Sequence, residues 1–302
     1  MINFRFHLVS LIAVFLALAL GVLMGATVID QAIVDGLNAR IDDVEDEADA
    51  QRTRNSELQS EVERLQQFVG DEYAVAGRLD GVMVAVIAPR GVEGDQARSA
   101  VELLQTAGAT APGVLWLEER LQLGDGEARD ELADILGVTR DDADTLRLAT
   151  WDALVRQADA IPALIDAGFV EFDPVGDQGD EFDPATYSVA GTRALLLDQS
   201  DASDDANALV ESLMNELVLE GVPLVLGEVY QEQGEDGPIQ GARLAVVRED
   251  ADLSEVVSTV DDLELTEGKV ATVLALADLP GTVGHYGLAA GVDAALPPQS
   301  PQ

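Results

Sequence analysis

The sequence predicts an α/β protein with an N-terminal transmembrane helix, a coiled-coil stalk, and then a largely parallel sheet flanked by helices. Three observations carry this. Residues 8–29 are uncharged and apolar, residues 37–69 repeat in heptads, and beyond residue 80 short dense apolar runs alternate with helical stretches. The expected boundaries are 1–29 for a cytoplasmic stub and membrane helix, 30–70 for the stalk, 80–296 for an α/β extracytoplasmic domain, and 297–302 for a Pro-rich disordered tail.

The first segment reads LVSLIAVFLALALGVLMGATVI. As a helix rising about 1.5 Å per residue it matches a hydrocarbon core of about 30 Å. A cleaved signal peptide fits less well, because its apolar region is usually about 7 to 15 residues with small residues at the cleavage site. Here Ala17-Leu18-Ala19 lies inside the run, and Met24 stands two positions before Ala26. Arg5 precedes the span and Asp30 and Asp35 follow it, so the positive-inside bias places the N-terminus in the cytoplasm and everything after the span outside. Gly21 and Gly25 form a small-xxx-small pair, a spacing that lets two helices approach closely in lipid.

The stalk carries a 4-3 repeat through Leu37, Ile41, Val44, Ala48, Gln51, Asn55, Leu58, Val62, Leu65 and Val69. No Pro or Gly interrupts it, and Gly70 is a natural stop. Asn55 on an a position and Gln51 on the preceding d would set register and oligomer state at some cost in stability. A parallel homo-oligomer is the expectation. The alternative, one amphipathic helix folded back on the domain, does not require so many consecutive seam positions.

In the domain, residues 82–88 (VMVAVIA) read as a buried strand, followed by a helix over 94–107 and a strand over 114–117. Helices are expected around 127–136 and 151–166. The run DPVGDQGDEFDP over 173–184 reads as an exposed loop. Strands at 192–197 and 222–229 flank a helix near 206–220, and 242–247 reads as one more strand. Alternating runs of this kind argue for a parallel sheet with helices on both faces.

Composition excludes several functions. An apolar share of 47% and a charged share of 25% belong to a folded chain rather than a disordered one. With 57 acidic against 17 basic residues the formal charge is -40, and Lys269 is the single lysine. Nucleic acid and anionic headgroups are therefore poor partners for the exported part. There is no cysteine, which removes disulfides, thiolate nucleophiles and Cys-based metal sites. After the first strand, Pro89-Arg90-Gly91-Val92-Glu93-Gly94-Asp95 has neither the GxGxxG spacing nor a P-loop lysine, and Glu93 and Asp95 would repel phosphate. A GxSxG elbow is absent, so no catalytic residue is assigned and the chain reads as a non-enzyme without a cofactor. Asp173, Asp177, Asp180, Glu181 and Asp183 miss the EF-hand spacing, and turn formation explains them better than Ca²⁺. His285, in Gly284-His285-Tyr286-Gly287, is the lone metal-ligand candidate of the exported region. A histidine in that setting more often packs or caps a turn.

Two stretches, VSLIAVFLALALGVLMG with the coiled coil behind it and TEGKVATVLALADLPGTVGHYGL over 266–288, resemble the mycobacterial copper transport protein family, MctB. The order of parts matches over nearly the whole chain. The resemblance implies an envelope protein for copper efflux and resistance, pore-forming in the outer membrane, with copper ions as cargo. It transfers no ligand set. A single span encloses no channel, so a pore would need several copies around an axis. The other function open at this point is a membrane-anchored coiled-coil scaffold presenting an α/β interaction domain.

Overall fold

The structure, a computed structural model, describes residues 5–25, 51–52, 75–139, 142–156, 160–187, 189–231 and 237–298. The chain divides into two units, Met1–Gln66 and Gln67–Gln302. In the first, helix α1 (Arg5–Gly25) runs for 21 residues and contains an 18-residue apolar stretch with a mean hydropathy of 2.7, none of it buried within the chain. It is long and apolar enough to cross a membrane. Gln51 and Arg52 are helical and exposed. The stalk positions Leu37, Ile41, Val44, Asn55, Leu58, Val62 and Leu65 lie outside the described residues.

The second unit is built on seven strands: β1 (Val84–Pro89), β2 (Gly113–Leu117), β3 (Val170–Pro174), β4 (Arg193–Gln199), β5 (Leu224–Val229), β6 (Val257–Val260) and β7 (His285–Tyr286). They lie in the order β3-β2-β1-β4-β5-β6-β7, all parallel except β3, which runs antiparallel to β2. Strands β1, β2 and β5 are buried at every position. That is why they read as unbroken apolar runs rather than alternating ones.

Alternate side chains feed two cores, one on each face of the sheet. On one face Ile87, Leu115, Leu196 and Leu226 pack with α3 (Gly126–Leu136), α4 (Ala143–Arg156), α5 (Ile161–Asp166) and α7 (Asp204–Leu219). On the other, Val86, Val114, Leu195 and Val225 meet α2 (Gly94–Thr106) and α9 (Thr266–Asp278), with Val75 and Leu79 closing that layer. Each buried Leu or Val stabilises the sandwich by about 1.5–3 kcal/mol, so single helix caps are minor by comparison. Caps fix boundaries instead: Asp125 accepts from the Ala128 N–H at 2.7 Å to start α3, and Ser203 from Ala206 at 3.3 Å to start α7.

Two segments differ from the sequence reading. Residues 242–247 form a turn and the four-residue helix α8 (Ala245–Arg248), not a strand. Leu244 and Val247 are buried while Val246 is exposed, an i, i+3 pattern. The place beside β5 is taken by Val257–Val260. Residues 173–184 are not wholly loop, since Asp173 and Pro174 end β3 and α6 (Gly176–Asp180) follows. Their acidic composition masks the pairing, and Arg98 holds Asp173 by two hydrogen bonds at 3.0 and 2.9 Å.

Candidate functional site: a buried carboxylate row at the carboxyl edge

In parallel α/β sheets ligands gather at the carboxyl ends of the strands, above all where the strand order reverses. That reversal falls between β1 and β4, and here the turn after β1 is tied across it. The Glu93 N–H donates to Gln199 Oε1 at 2.8 Å. Arg90 is held by Glu118 at 2.6 Å and by Glu171, with its guanidinium 4.9 Å from the Trp116 ring. Side chains of the fold itself span this crevice.

The unusual chemistry lies further along the same edge. Asp198 at the end of β4 stands in register with Glu228 on β5; Gly227 is paired with Val260, so Asp261 carries the row on past β6. Asp198, Glu228, Asp261 and Asp262 are all buried, with Glu228 and Asp261 fully so. Four carboxylates withdrawn from water would be prohibitively costly unless they were hydrogen-bonded, neutralised or protonated.

Each has such a solution. Glu228 accepts backbone N–H bonds from Gly241 at 2.7 Å and Arg243 at 3.1 Å, and burial still pushes it up to about 7. Asp261 meets the Arg248 guanidinium at 2.8 Å and accepts from the Leu288 and Ala289 N–H groups at 2.6 and 3.2 Å. Burial works against its charge, but these bonds and a hydrogen bond from Asp262 hold its pKa below the ordinary value. Asp262 takes the proton of this pair. Burial, then the bond to Asp261 and its charge, raise it to about 8. Its Oδ2 accepts from Leu288 at 2.9 Å, and Gln240 Nε2 donates to Oδ1. Asp198 is pushed up to about 6 by burial.

The network pins two loops over the edge, residues 237–243 and 287–291. Gly287, at φ 128°, is required there because a Cβ would collide with the Asp261 carboxylate. Asp262 itself adopts φ 61°, a left-handed conformation uncommon outside glycine and tolerated by Asp.

His285, the sequence candidate for a metal ligand, joins this network rather than a cage. Its Nδ1 lies 3.0 Å from Thr259 Oγ1, which accepts from Arg248 Nε at 2.9 Å. Burial lowers its pKa, with Asp293 opposing and Arg248 reinforcing the shift. Among the described residues no group of three or more His, Asp or Glu is arranged to hold a metal ion. Gly21 and Gly25 share one face of α1, and among the described residues a Cβ at either would meet nothing beyond its own stretch of helix within 4 Å. In the second unit the structure adds Glu228, Arg248, Asp261 and Asp262, which sequence reasoning passed over. The signal available was Asp261-Asp262 directly behind the apolar run VVSTV, a double charge where a buried strand should end.

Fold and site together define a class: an α/β domain, with an apolar helix of membrane-spanning length at its N-terminal side, whose carboxyl edge is closed by an internal charge network. The chain belongs to the MctB family, described as copper transport outer membrane protein, whose model matches residues 1–297. It is 27% identical over 321 residues to "Copper transporter MctB" of Mycobacterium tuberculosis strain H37Rv and to that of Mycobacterium bovis, covering 96% of this chain and 98% of each relative. To the protein of the same name from Mycobacterium leprae it is 25% identical over 338 residues, covering 99% of this chain and all of the relative.

Proposed function

We propose that this chain is a copper transport and efflux component of the cell envelope that contributes to copper resistance. The observation that carries the reading is the family match along residues 1–297, which includes α1, the heptad segment and the α/β domain in one order. In this reading α1 anchors the chain with its N-terminus in the cytoplasm, and the domain stands outside. Leu37, Ile41, Val44, Asn55, Leu58, Val62 and Leu65 hold a parallel homo-oligomer, with Gly21 and Gly25 bringing the membrane helices together. Several copies of α1 around an axis form the conducting element, in the outer membrane that the family description names. The strong negative charge of the exported part raises the local cation concentration near it.

A second reading, a membrane-anchored scaffold with an α/β interaction domain, is favoured by one observation. The buried carboxylates are committed to backbone N–H groups and to Arg248, and so serve the fold. Two measurements separate the readings. Deleting the gene should raise cellular copper and copper sensitivity, and unchanged copper content would rule out transport. Liposomes holding the full chain should pass Cu⁺ in preference to Na⁺, and lose that flux when residues 1–29 are removed. Altered copper content in cells with no flux in liposomes would favour the scaffold.

A further inference from the structure

Residues 237–243 and 287–291 lie over the carboxyl ends of β5 and β6, tied down by the buried carboxylates. Glu228 accepts the Gly241 and Arg243 N–H groups at 2.7 and 3.1 Å, and Gln240 Nε2 donates to Asp262 Oδ1. From the other loop the Leu288 N–H donates to Asp261 Oδ1 at 2.6 Å and to Asp262 Oδ2 at 2.9 Å, while the Ala289 N–H reaches Asp261 at 3.2 Å. Arg248 adds hydrogen bonds to the Tyr286 and Ala290 carbonyls at 3.3 and 3.4 Å. The loops also touch, since a Cβ on Gly241 would fall 2.5 Å from that of Ala289.

The Leu288 N–H is shared. Two carboxylates converge on one donor, close enough to repel strongly when both are charged. Around them stand Asp198 on β4, Glu228 on β5, Arg243 in the first loop, Arg248 on α8, Glu264 and Lys269 about the start of α9, and His285 and Asp293 about β7. Among the described residues Arg248 is the one ion-pair partner of Asp261 and Asp262. One cation against two carboxylates is balanced by one proton. It rests on Asp262, which burial and then the bond to Asp261 raise to about 8.

We propose that these carboxylates form a proton-operated clasp: with Asp262 protonated, residues 237–243 and 287–291 are held on the sheet edge, and loss of that proton to solvent releases them while the sheet stays folded. Neutral Asp262 donates its O–H to Asp261 and accepts from Gln240 and Leu288, so its polar atoms are matched. Ionised Asp262 loses the donor and sets a second buried anion beside Asp261, with Arg248 already committed. Lifting the loops lets water reach the pair, which costs less than holding two anions dry. The closed edge binds a proton that the open edge releases, so closure loses ground as pH rises from the ordinary carboxylate range to about 8. The open edge presents Glu228, Asp261 and Asp262 to solvent as a negative surface.

The test is hydrogen exchange of the full chain in detergent, read by mass spectrometry at about pH 5.5 and about pH 8.5 and corrected for the intrinsic effect of pH on exchange. Peptides covering 237–243 and 287–291 should lose at least about tenfold in protection at the higher pH, since a raised carboxyl contributes up to about tenfold per pH unit across its window. That exchange should be unmoved by sub-denaturing urea, the mark of a local opening, whereas the much slower exchange of β1 and β4 should rise with urea. Asp262→Asn keeps an N–H donor toward Asp261 and suits the left-handed φ of 61°, so both segments should stay protected at both pH values. The comparison on the unaltered chain decides even where that variant does not fold. Equal protection at the two pH values, an equal loss in folded Asp262→Asn, or loop exchange that rises with urea as steeply as that of β1 overturns the proposal.

Discussion

The Arg248 guanidinium and the Asp261 carboxylate meet at 2.8 Å with side-chain exposures of 4% and 0%. A pair so fully desolvated adds little net stability, because removing both charges from water cancels most of their attraction. Its loss on one side is another matter. Arg248→Met leaves Asp261 buried against its neighbour Asp262 and should cost about 3–5 kcal/mol in urea unfolding. Adding Asp261→Asn removes the stranded charge while keeping an oxygen for the Leu288 N–H, so the double variant should regain at least half of that loss. A double variant no more stable than Arg248→Met would show that the arginine acts through its contacts with Thr259 and the Tyr286 carbonyl instead.

The same cluster makes stability depend on pH, and the sign follows from the direction of the shifts. Asp198, Glu228 and Asp262 are raised to about 6, 7 and 8, so between roughly pH 4 and pH 8 the folded chain holds protons that the unfolded chain has released. Stability should therefore fall as pH rises through that window. Asp261, shifted down, loses its contribution only in acid below the ordinary carboxylate range. His285, also lowered, opposes the trend only up to its ordinary value of 6.5. Urea midpoints at pH 5 and pH 8.5 check this, with the lower value at pH 8.5. Glu228→Gln and Asp262→Asn should each flatten the profile, and an unchanged slope in both variants would show that the protons are held elsewhere.

Part of this architecture is legible in the sequence. Strands β1, β2, β4 and β5 are readable because each holds an unbroken run of buried apolar or small residues, with the polar Asp198, Gln199 and Glu228 confined to the carboxyl ends of β4 and β5. Strand β3 is not, because Glu171 and Asp173 lie on an edge strand and look like loop residues until they are paired with Trp116 and Val114 of β2. Residues 242–247 read as a strand because a buried helical turn and a short strand share one apolar composition. The carboxylate row was invisible for a different reason. Its members are 198, 228, 261 and 262, and only the parallel register of three strands brings them side by side.

Gly287→Ala isolates the loop anchor from the charges. At φ 128° an alanine is strained, and its Cβ would press on the Asp261 carboxylate, which has no room to retreat from Arg248. A loss of about 2–3 kcal/mol is expected, in line with substitutions at incompatible left-handed positions. Gly91→Ala, at φ 115° with nothing within 4 Å of its Cβ, is the matched control for backbone strain alone. If both variants lose the same amount by thermal unfolding, the collision with Asp261 contributes nothing.

Charge and packing act on the heptad segment in opposite directions. Residues 30–69 carry 11 acidic and 4 basic side chains, so parallel copies of the proposed stalk repel each other while the apolar seam draws them together. At about 0.05 M salt the Debye length exceeds the spacing between chains, and at 1 M it shrinks to about 3 Å. Oligomers of the full chain in detergent, weighed by light scattering, should therefore strengthen as salt rises. Leu58→Asp places a further charge on the seam and should leave monomers at both salts. Asn55→Ile removes the polar a position and should tighten association while broadening the distribution of oligomer sizes, since a buried polar side chain at that position selects one state at the expense of stability. Association that weakens with salt, or survives Leu58→Asp unchanged, would mean the copies are joined by something other than this seam.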